Sequence, residues 1–120
     1  MKVRRDSLDT LFSKFIRLRD KGTCQRCGHY VGLTPGLHCS HFHGRSRKSV
    51  RWDEDNAVAL CFGCHQYFTS RPLEHVEWFK SHLGDRFELL SGRMRQIGKP
   101  DKELLGLYYK EKIKQLSVED

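Results

Sequence analysis

Two Cys-x-x-Cys pairs mark the stretch of sequence that decides the fold: Cys24-Gln25-Arg26-Cys27 and Cys61-Phe62-Gly63-Cys64, with residues 28–60 between them. Each pair can place two thiolates on one tight turn, so two pairs can complete a tetrahedral shell of four sulfur ligands around zinc. A redox Cys-x-x-Cys needs no second pair, and buried thiols without a metal are the other alternative. The spacing predicts a structural zinc site that joins the two ends of the intervening segment.

The composition predicts a small intracellular domain. At 120 residues the chain has room for one domain, with the zinc core in residues 22–70 and a helical C-terminal extension in residues 72–117. The longest apolar run covers residues 57–62, far short of a membrane span, and no secretory signal is visible. Among five cysteines Cys39 is left over, which favours metal binding over disulfides and predicts a cytoplasmic location.

The charge predicts a polyanionic partner. Lysine and arginine outnumber the acids by 22 to 15, giving a formal net charge of +7, and nucleic acid is the commonest partner for such a surface. A charge that serves only solubility is the alternative. Residues 41–51 contain four permanent cations and no acid, and arginine side chains pair well with phosphate oxygens. We therefore expect phosphate contacts from this loop, through Arg45, Arg47, Lys48 and Arg51.

Local patterns place these motifs on a helix, a hairpin and further helices. Ser7 is the candidate N-cap of a first amphipathic helix that Gly22 ends. Residues 37–42 and 56–60 are the candidate strands, and a helix is expected to continue after Cys64. Helical spacing of apolar residues returns in the last third of the chain, in residues 73–83, 87–97 and 105–116, with Asp101 as the candidate cap of the last.

Three polar residues follow one another in an order that points to a known family. His41 lies near the end of the first predicted strand, Asn56 lies before the second cysteine pair, and His65 follows that pair directly. In this H, N, H order, framed by both pairs, residues 8–70 resemble the HNH endonucleases, in particular the zinc-ribbon type of bacteriophages and prophages. Phage recombination endonucleases and junction resolvases with a zinc-clamped site look similar in this region.

The resemblance implies both a fold and an activity. The expected fold is α+β, a small ββα-metal (HNH) centre held together by a four-cysteine zinc site, with flanking N- and C-terminal helices. The expected activity is divalent-metal-dependent hydrolysis of DNA phosphodiester bonds, by nicking or double-strand cleavage, leaving 5′-phosphate and 3′-hydroxyl ends. By the family's pattern His41 is the general base that activates water, and Asn56 holds the loop or joins the metal shell. His65 is the expected ligand of the catalytic Mg²⁺ or Mn²⁺.

The sequence departs from the family's pattern at Ser40, because many members carry an Asp or His there as a second ligand of the catalytic ion. His43, two residues beyond His41, could serve as that ligand or as the base in its place, and we expect His38 to be structural. A zinc shell in which an imidazole replaces one cysteine is a further alternative. The alternative functions are a non-catalytic zinc-ribbon DNA-binding module and a structure-selective recombination or junction nuclease.

Overall fold

The N-cap of the first helix lies one residue earlier than the sequence predicts. The computed structural model describes residues 4–118, and helix α1 spans Ser7–Arg19 with Asp6, not Ser7, as its N-cap. The Asp6 carboxylate accepts a hydrogen bond from the Asp9 N–H at 3.0 Å, and the Asp9 carboxylate accepts one from the Asp6 N–H at 2.8 Å. This reciprocal pair satisfies two N–H groups at once, which a single serine at the cap does not do.

A two-stranded antiparallel hairpin forms the centre of the fold. Strand β1 (Leu37–His41) pairs with β2 (Ala57–Cys61), so that Leu37 lies opposite Cys61 and His41 lies opposite Ala57. Both predicted strands are confirmed, although β1 ends one residue earlier than predicted and β2 begins and ends one residue later. Helix α2 (Phe62–Thr69) follows β2 without a loop and therefore begins before Cys64, earlier than predicted.

The hairpin is covered on both faces because its side chains alternate between two cores. On one face, Ala57 packs with the apolar stripe of α1. On the other face, Val58 and Leu60 pack with the apolar side of α2 and with the helices that follow it. Every residue of β2 up to Leu60 is buried, so the strand runs through the middle of the molecule.

Three C-terminal helices complete the two cores. Helices α3 (Pro72–Leu83) and α4 (Arg86–Met94) bury Phe79 and Leu90 against the α2 side of the hairpin. Helix α5 (Lys102–Val118) packs along α1, where the ring of Tyr109 lies 5.2 Å from that of Phe12. The predicted cap of α5 is confirmed, since the Asp101 carboxylate accepts a hydrogen bond from the Leu104 N–H at 3.0 Å. The α+β class and the flanking helices are thus as predicted.

A buried carboxylate joins α1 to the loop between the strands. Asp9 is 4% exposed, and its Oδ1 accepts hydrogen bonds from Arg51 Nε at 3.0 Å and from Trp52 Nε1 at 2.9 Å. A second guanidinium nitrogen of Arg51 donates to Oδ2. Burial alone would raise the pKa of Asp9, but the hydrogen bonds and charge of Arg51 lower it to about 2. The ion pair is therefore complete at neutral pH.

None of the helices within residues 4–118 has the length and apolar character needed to span a membrane.

Replacing Asp9 by asparagine should destabilise the protein, because the guanidinium of Arg51 would stay buried without its counter-charge. We expect the free energy of unfolding to fall by about 3 kcal/mol, as for other buried ion pairs that lose one partner. Urea denaturation of the zinc-loaded protein at neutral pH measures this. The matched control is Asp85→Asn, because Asp85 is exposed and its side chain makes no capping hydrogen bond. A loss in Asp9→Asn no larger than in the control would contradict the assignment.

Candidate active site and zinc centre

The four cysteines of the two pairs meet at one end of the hairpin. Their Sγ atoms all lie within 4.8 Å of one another, and none of the four is in a disulfide. Cys24 and Cys27 lie on the turn that follows α1, where Gly28 adopts a positive φ of 77°. Cys61 is the last residue of β2, and Cys64 lies in the first turn of α2. The turn, the strand end and the helix start are therefore brought to one point.

The donor set fits structural zinc. Four sulfurs bound tetrahedrally at about 2.3 Å are about 3.8 Å apart, and the Sγ atoms of Cys27 and Cys61 are 3.9 Å apart. Burial raises the pKa of Cys24, but hydrogen bonds from the backbone N–H groups of Cys27, Cys61 and Arg26 lower it to about 7. Burial and the neighbouring sulfurs raise the pKa of Cys64 to about 12. Only a bound cation allows all four sulfurs to be thiolates together. His41 and His65 lie outside this cluster.

At the end of the hairpin opposite the cysteines, Asn56 holds the loop between the two strands. Its side chain is fully buried, with Nδ2 donating to the carbonyl oxygens of His43 at 2.9 Å and Val50 at 3.0 Å. Its Oδ1 accepts a hydrogen bond from the His43 N–H at 2.8 Å. These three bonds join the start and the end of the loop. Of the two roles expected for Asn56, the geometry favours holding the loop, because the side chain is fully buried and both its nitrogen and its oxygen bind backbone groups.

His41 is held by one ring nitrogen, and its other ring nitrogen has no hydrogen-bond partner among residues 4–118. Its Nε2 lies 2.9 Å from the carbonyl oxygen of Arg51. Because a carbonyl only accepts, Nε2 carries the hydrogen and Nδ1 keeps its lone pair. Burial lowers the pKa of His41, although the Arg51 carbonyl and the charge of Asp9 oppose this effect. The ring is therefore neutral at pH 7, which is the form that a general base requires.

Two adjoining cavities between the N-terminal segment, β1 and α2 bring the candidate residues together. Their volumes are about 480 and 360 Å³, and both are lined by the same four residues: Arg5, Ser13, Cys39 and His65. The first cavity is also lined by His38 and Arg17, and the second by His41 and Arg45. We call this combined space the histidine cleft. The histidine cleft opens to solvent, and its walls include both His65 and the candidate base His41.

The four predicted phosphate-binding cations do not share one environment. Arg47 and Lys48 are exposed, and Arg45 is half-buried with Nη1 3.7 Å from the Asp9 carboxylate. Arg51 requires a correction, because its side chain is 7% exposed and bound to Asp9 inside the protein. Its counter-charge lies 42 residues earlier in the chain, so the local sequence shows only a cation in a basic loop. Its contribution to the cleft is the backbone carbonyl that holds His41.

His43 and Ser40 lie away from the cleft opening. The ring of His43 packs edge-on against Phe42 at 4.8 Å, and its Nε2 is buried with no hydrogen-bond partner among the described residues. Ser40 is 3% exposed and faces the α2 side of the hairpin, opposite Val58. Neither residue is part of the described lining of the two cavities.

Sequence reasoning missed three residues that line the histidine cleft: Arg5, Arg17 and His38. Arg5 and Arg17 come from α1 and the segment before it, and no motif connects them to the histidines. For His38 a signal was present. Strand residues two apart share a face, so His38 shares the face of Ser40, the position at which the family's pattern lacks its expected ligand.

A hairpin followed directly by a helix, held by four cysteine sulfurs, defines a zinc-binding ββα-metal fold. Residues 24–71 match the family described as HNH endonuclease. This match and the four-cysteine cluster fit a zinc-binding HNH endonuclease, as the resemblance predicted, and the matched family implies a nuclease that acts on DNA. Neither a curated protein nor a solved structure gives a significant match to the chain.

Replacing Cys27 by serine should abolish zinc binding and with it the folded state, because structural zinc contributes about 10–16 kcal/mol in small domains. We expect elemental analysis to find about one zinc per wild-type chain and none in this variant, with loss of the cooperative thermal transition. Cys39→Ser is the matched control, since Cys39 lies outside the cluster, and it should keep its zinc. Equal zinc contents in the two variants would rule out the four-cysteine site.

Proposed function

We propose that the protein is a divalent-metal-dependent DNA endonuclease that hydrolyses phosphodiester bonds. The observation that carries this proposal is the pairing of His41 with the carbonyl of Arg51, which leaves Nδ1 as a proton acceptor in the cleft that also contains His65. A base of lowered pKa, a candidate metal ligand and cations are the groups that hydrolysis of a phosphodiester requires.

In this reaction His41 removes a proton from a water molecule. The water oxygen attacks phosphorus while the bond to the 3′ oxygen breaks, and the proton is held on His41 Nδ1. The Arg51 carbonyl keeps the ring in place and stabilises the imidazolium that forms. The leaving 3′ oxygen takes a proton from solvent water and His41 returns its proton to solvent, so the products have 5′-phosphate and 3′-hydroxyl ends. A bound divalent ion supplies positive charge that stabilises the transition state and the leaving oxygen, and His65 is the residue that the family's pattern assigns to holding it.

Positive side chains on the walls of the cleft suit a phosphate backbone. Arg5 lines both cavities, and Arg17 and Arg45 each line one of them. Arg47 and Lys48 extend the positive surface beyond the cleft, where they are exposed. These groups contact phosphates and give affinity without base recognition. No described element is assigned to reading bases.

Removal of the base should abolish cleavage and leave the fold intact. We expect His41→Ala to lower the rate of supercoiled plasmid cleavage with Mn²⁺ or Mg²⁺ by about 10²- to 10⁴-fold, the usual contribution of a general base. Unchanged zinc content and circular dichroism would show that the variant is folded. Linear or open-circular product in the wild-type reaction separates double-strand cleavage from nicking.

The matched control for this experiment is His82→Ala, because His82 is exposed on α3 and should retain full activity. His43→Ala tests the alternative base, and a near-normal rate in that variant leaves the role to His41. If the wild-type protein binds DNA but leaves plasmid intact with every divalent ion tried, the non-catalytic binding module is the correct function. Preference for a four-way junction over duplex would identify the junction nuclease.

The cations of the cleft wall should determine the salt dependence of DNA binding. We expect Arg5→Ala and Arg17→Ala each to weaken duplex binding and to reduce the slope of log K against log salt by about 1, because each removes one phosphate contact. Fluorescence anisotropy with Ca²⁺ in place of the catalytic ion measures this. Lys80→Ala, a change at an exposed residue of α3, serves as control. A slope unchanged in the two arginine variants would place the DNA elsewhere.

A further inference from the structure

Two imidazole nitrogens meet at the mouth of the histidine cleft. His38, the second residue of β1, and His65, in the first half of α2, have their Nδ1 atoms 2.8 Å apart. The two rings are nearly perpendicular, with an angle of 81° between their planes. Both side chains are half-buried and line the larger cavity together with Arg5 and Arg17.

We propose that His38 and His65 together hold the catalytic divalent ion, and that this imidazole pair makes the site selective for Mn²⁺, Co²⁺ or Ni²⁺ over Mg²⁺. This inference rests on the proposed nuclease function and adds to it the second protein ligand and the class of metal. Imidazole nitrogens bind first-row ions at about 2.1 Å, so two that share one ion lie about 3 Å apart in a right-angled arrangement. The observed separation is close to that value.

The positions that the sequence offered for the second ligand are less suitable. Ser40 is 3% exposed and lies opposite the buried Val58, so a cation bound to its hydroxyl could not also reach a phosphate. His43 packs on Phe42 and lies outside the described lining of the cleft. His38 lies two residues before Ser40 on the same strand face, and its ring reaches the nitrogen of His65.

The nearby carboxylates are already bound to arginines. Asp9 lines the second cavity, but Arg51 and Trp52 occupy its oxygens. Asp53 and Asp55, in the loop before β2, line other cavities and are bound to Arg93 at 2.6 and 3.1 Å. His38 and His65 differ from these carboxylates, because each has another possible metal ligand as its partner and not an arginine. A phosphate oxygen of the substrate and water molecules would supply the remaining ligands next to Arg5 and Arg17.

The chemistry of the pair determines which metal it prefers. Mg²⁺ is a hard ion that takes oxygen ligands and keeps several waters. Imidazole is a better ligand for the later first-row ions, whose affinities for nitrogen rise along the series from Mn²⁺ to Cu²⁺. A site with two imidazoles and no carboxylate should therefore bind Mn²⁺ at least about tenfold more tightly than Mg²⁺.

A direct metal titration tests the pair independently of cleavage. The zinc-loaded protein without DNA is titrated with Mn²⁺, and binding is followed by electron paramagnetic resonance and by line broadening of the histidine NMR signals, with Mg²⁺ as competitor. We expect one Mn²⁺ site that broadens His38 and His65 most strongly. His38→Ala and His65→Ala should each weaken Mn²⁺ binding at least about tenfold, whereas His82→Ala should not.

A hydrogen bond between two neutral histidines would give the same separation of the two Nδ1 atoms. A second variant therefore distinguishes a pair that binds a metal ion from a pair that is only hydrogen-bonded. Glutamine in His38→Gln can still donate to His65 but is a poor ligand for Mn²⁺. If His38→Gln is folded and binds Mn²⁺ like wild type, or if only His65→Ala loses binding, the proposal is wrong. It is also wrong if the wild-type protein binds no Mn²⁺ or prefers Mg²⁺. Plasmid cleavage that is equal in wild type and His38→Gln would overturn this inference while leaving the nuclease function in place.

Discussion

Four cysteine sulfurs that must share one cation are the constraint on which the rest of the structure depends. They bring the turn after α1, the end of β2 and the start of α2 to one point. Because β1 pairs with β2 in register, this fixes the position of His38 beside α2 and of His41 at the far end of the strand. The described residues form two small cores, and a hairpin as short as this one needs such a crosslink to hold it. The histidine cleft is the space that this arrangement leaves open.

The far end of the hairpin is held without a metal. Asn56 joins the two ends of the loop through three backbone hydrogen bonds, and Asp9 binds Arg51 and Trp52 from outside it. The carbonyl of Arg51 then fixes the tautomer of His41. Helix α1 thus determines the state of a base more than thirty residues away in sequence, through a buried ion pair and one carbonyl. The helix that sequence analysis treated as a packing element therefore also positions the candidate base.

The elements that the sequence predicted well are those set by local rules. The two strands, the capped helix α5 and the cysteine cluster follow from alternation, from an aspartate before a helix and from a spacing typical of zinc. The two differences have separate reasons. Serine and aspartate are both good cap residues, and the reciprocal hydrogen bonds between Asp6 and Asp9 favour Asp6 over Ser7. Arg51 resembles the exposed cations of its loop in sequence, because its partner Asp9 lies 42 residues away.

The sequence by itself determined the resemblance to HNH endonucleases, the four cysteine ligands and the order of His41, Asn56 and His65, because ligand type and short spacing are properties of the chain. Only the tertiary structure decided that Arg51 faces inward, that Asn56 binds the backbone of His43 and Val50, and that His38 meets His65. It also brought Arg5 and Arg17 into the cleft. These relations depend on how α1 and α2 pack against opposite faces of one hairpin, and packing across tens of residues leaves no periodic trace in the sequence.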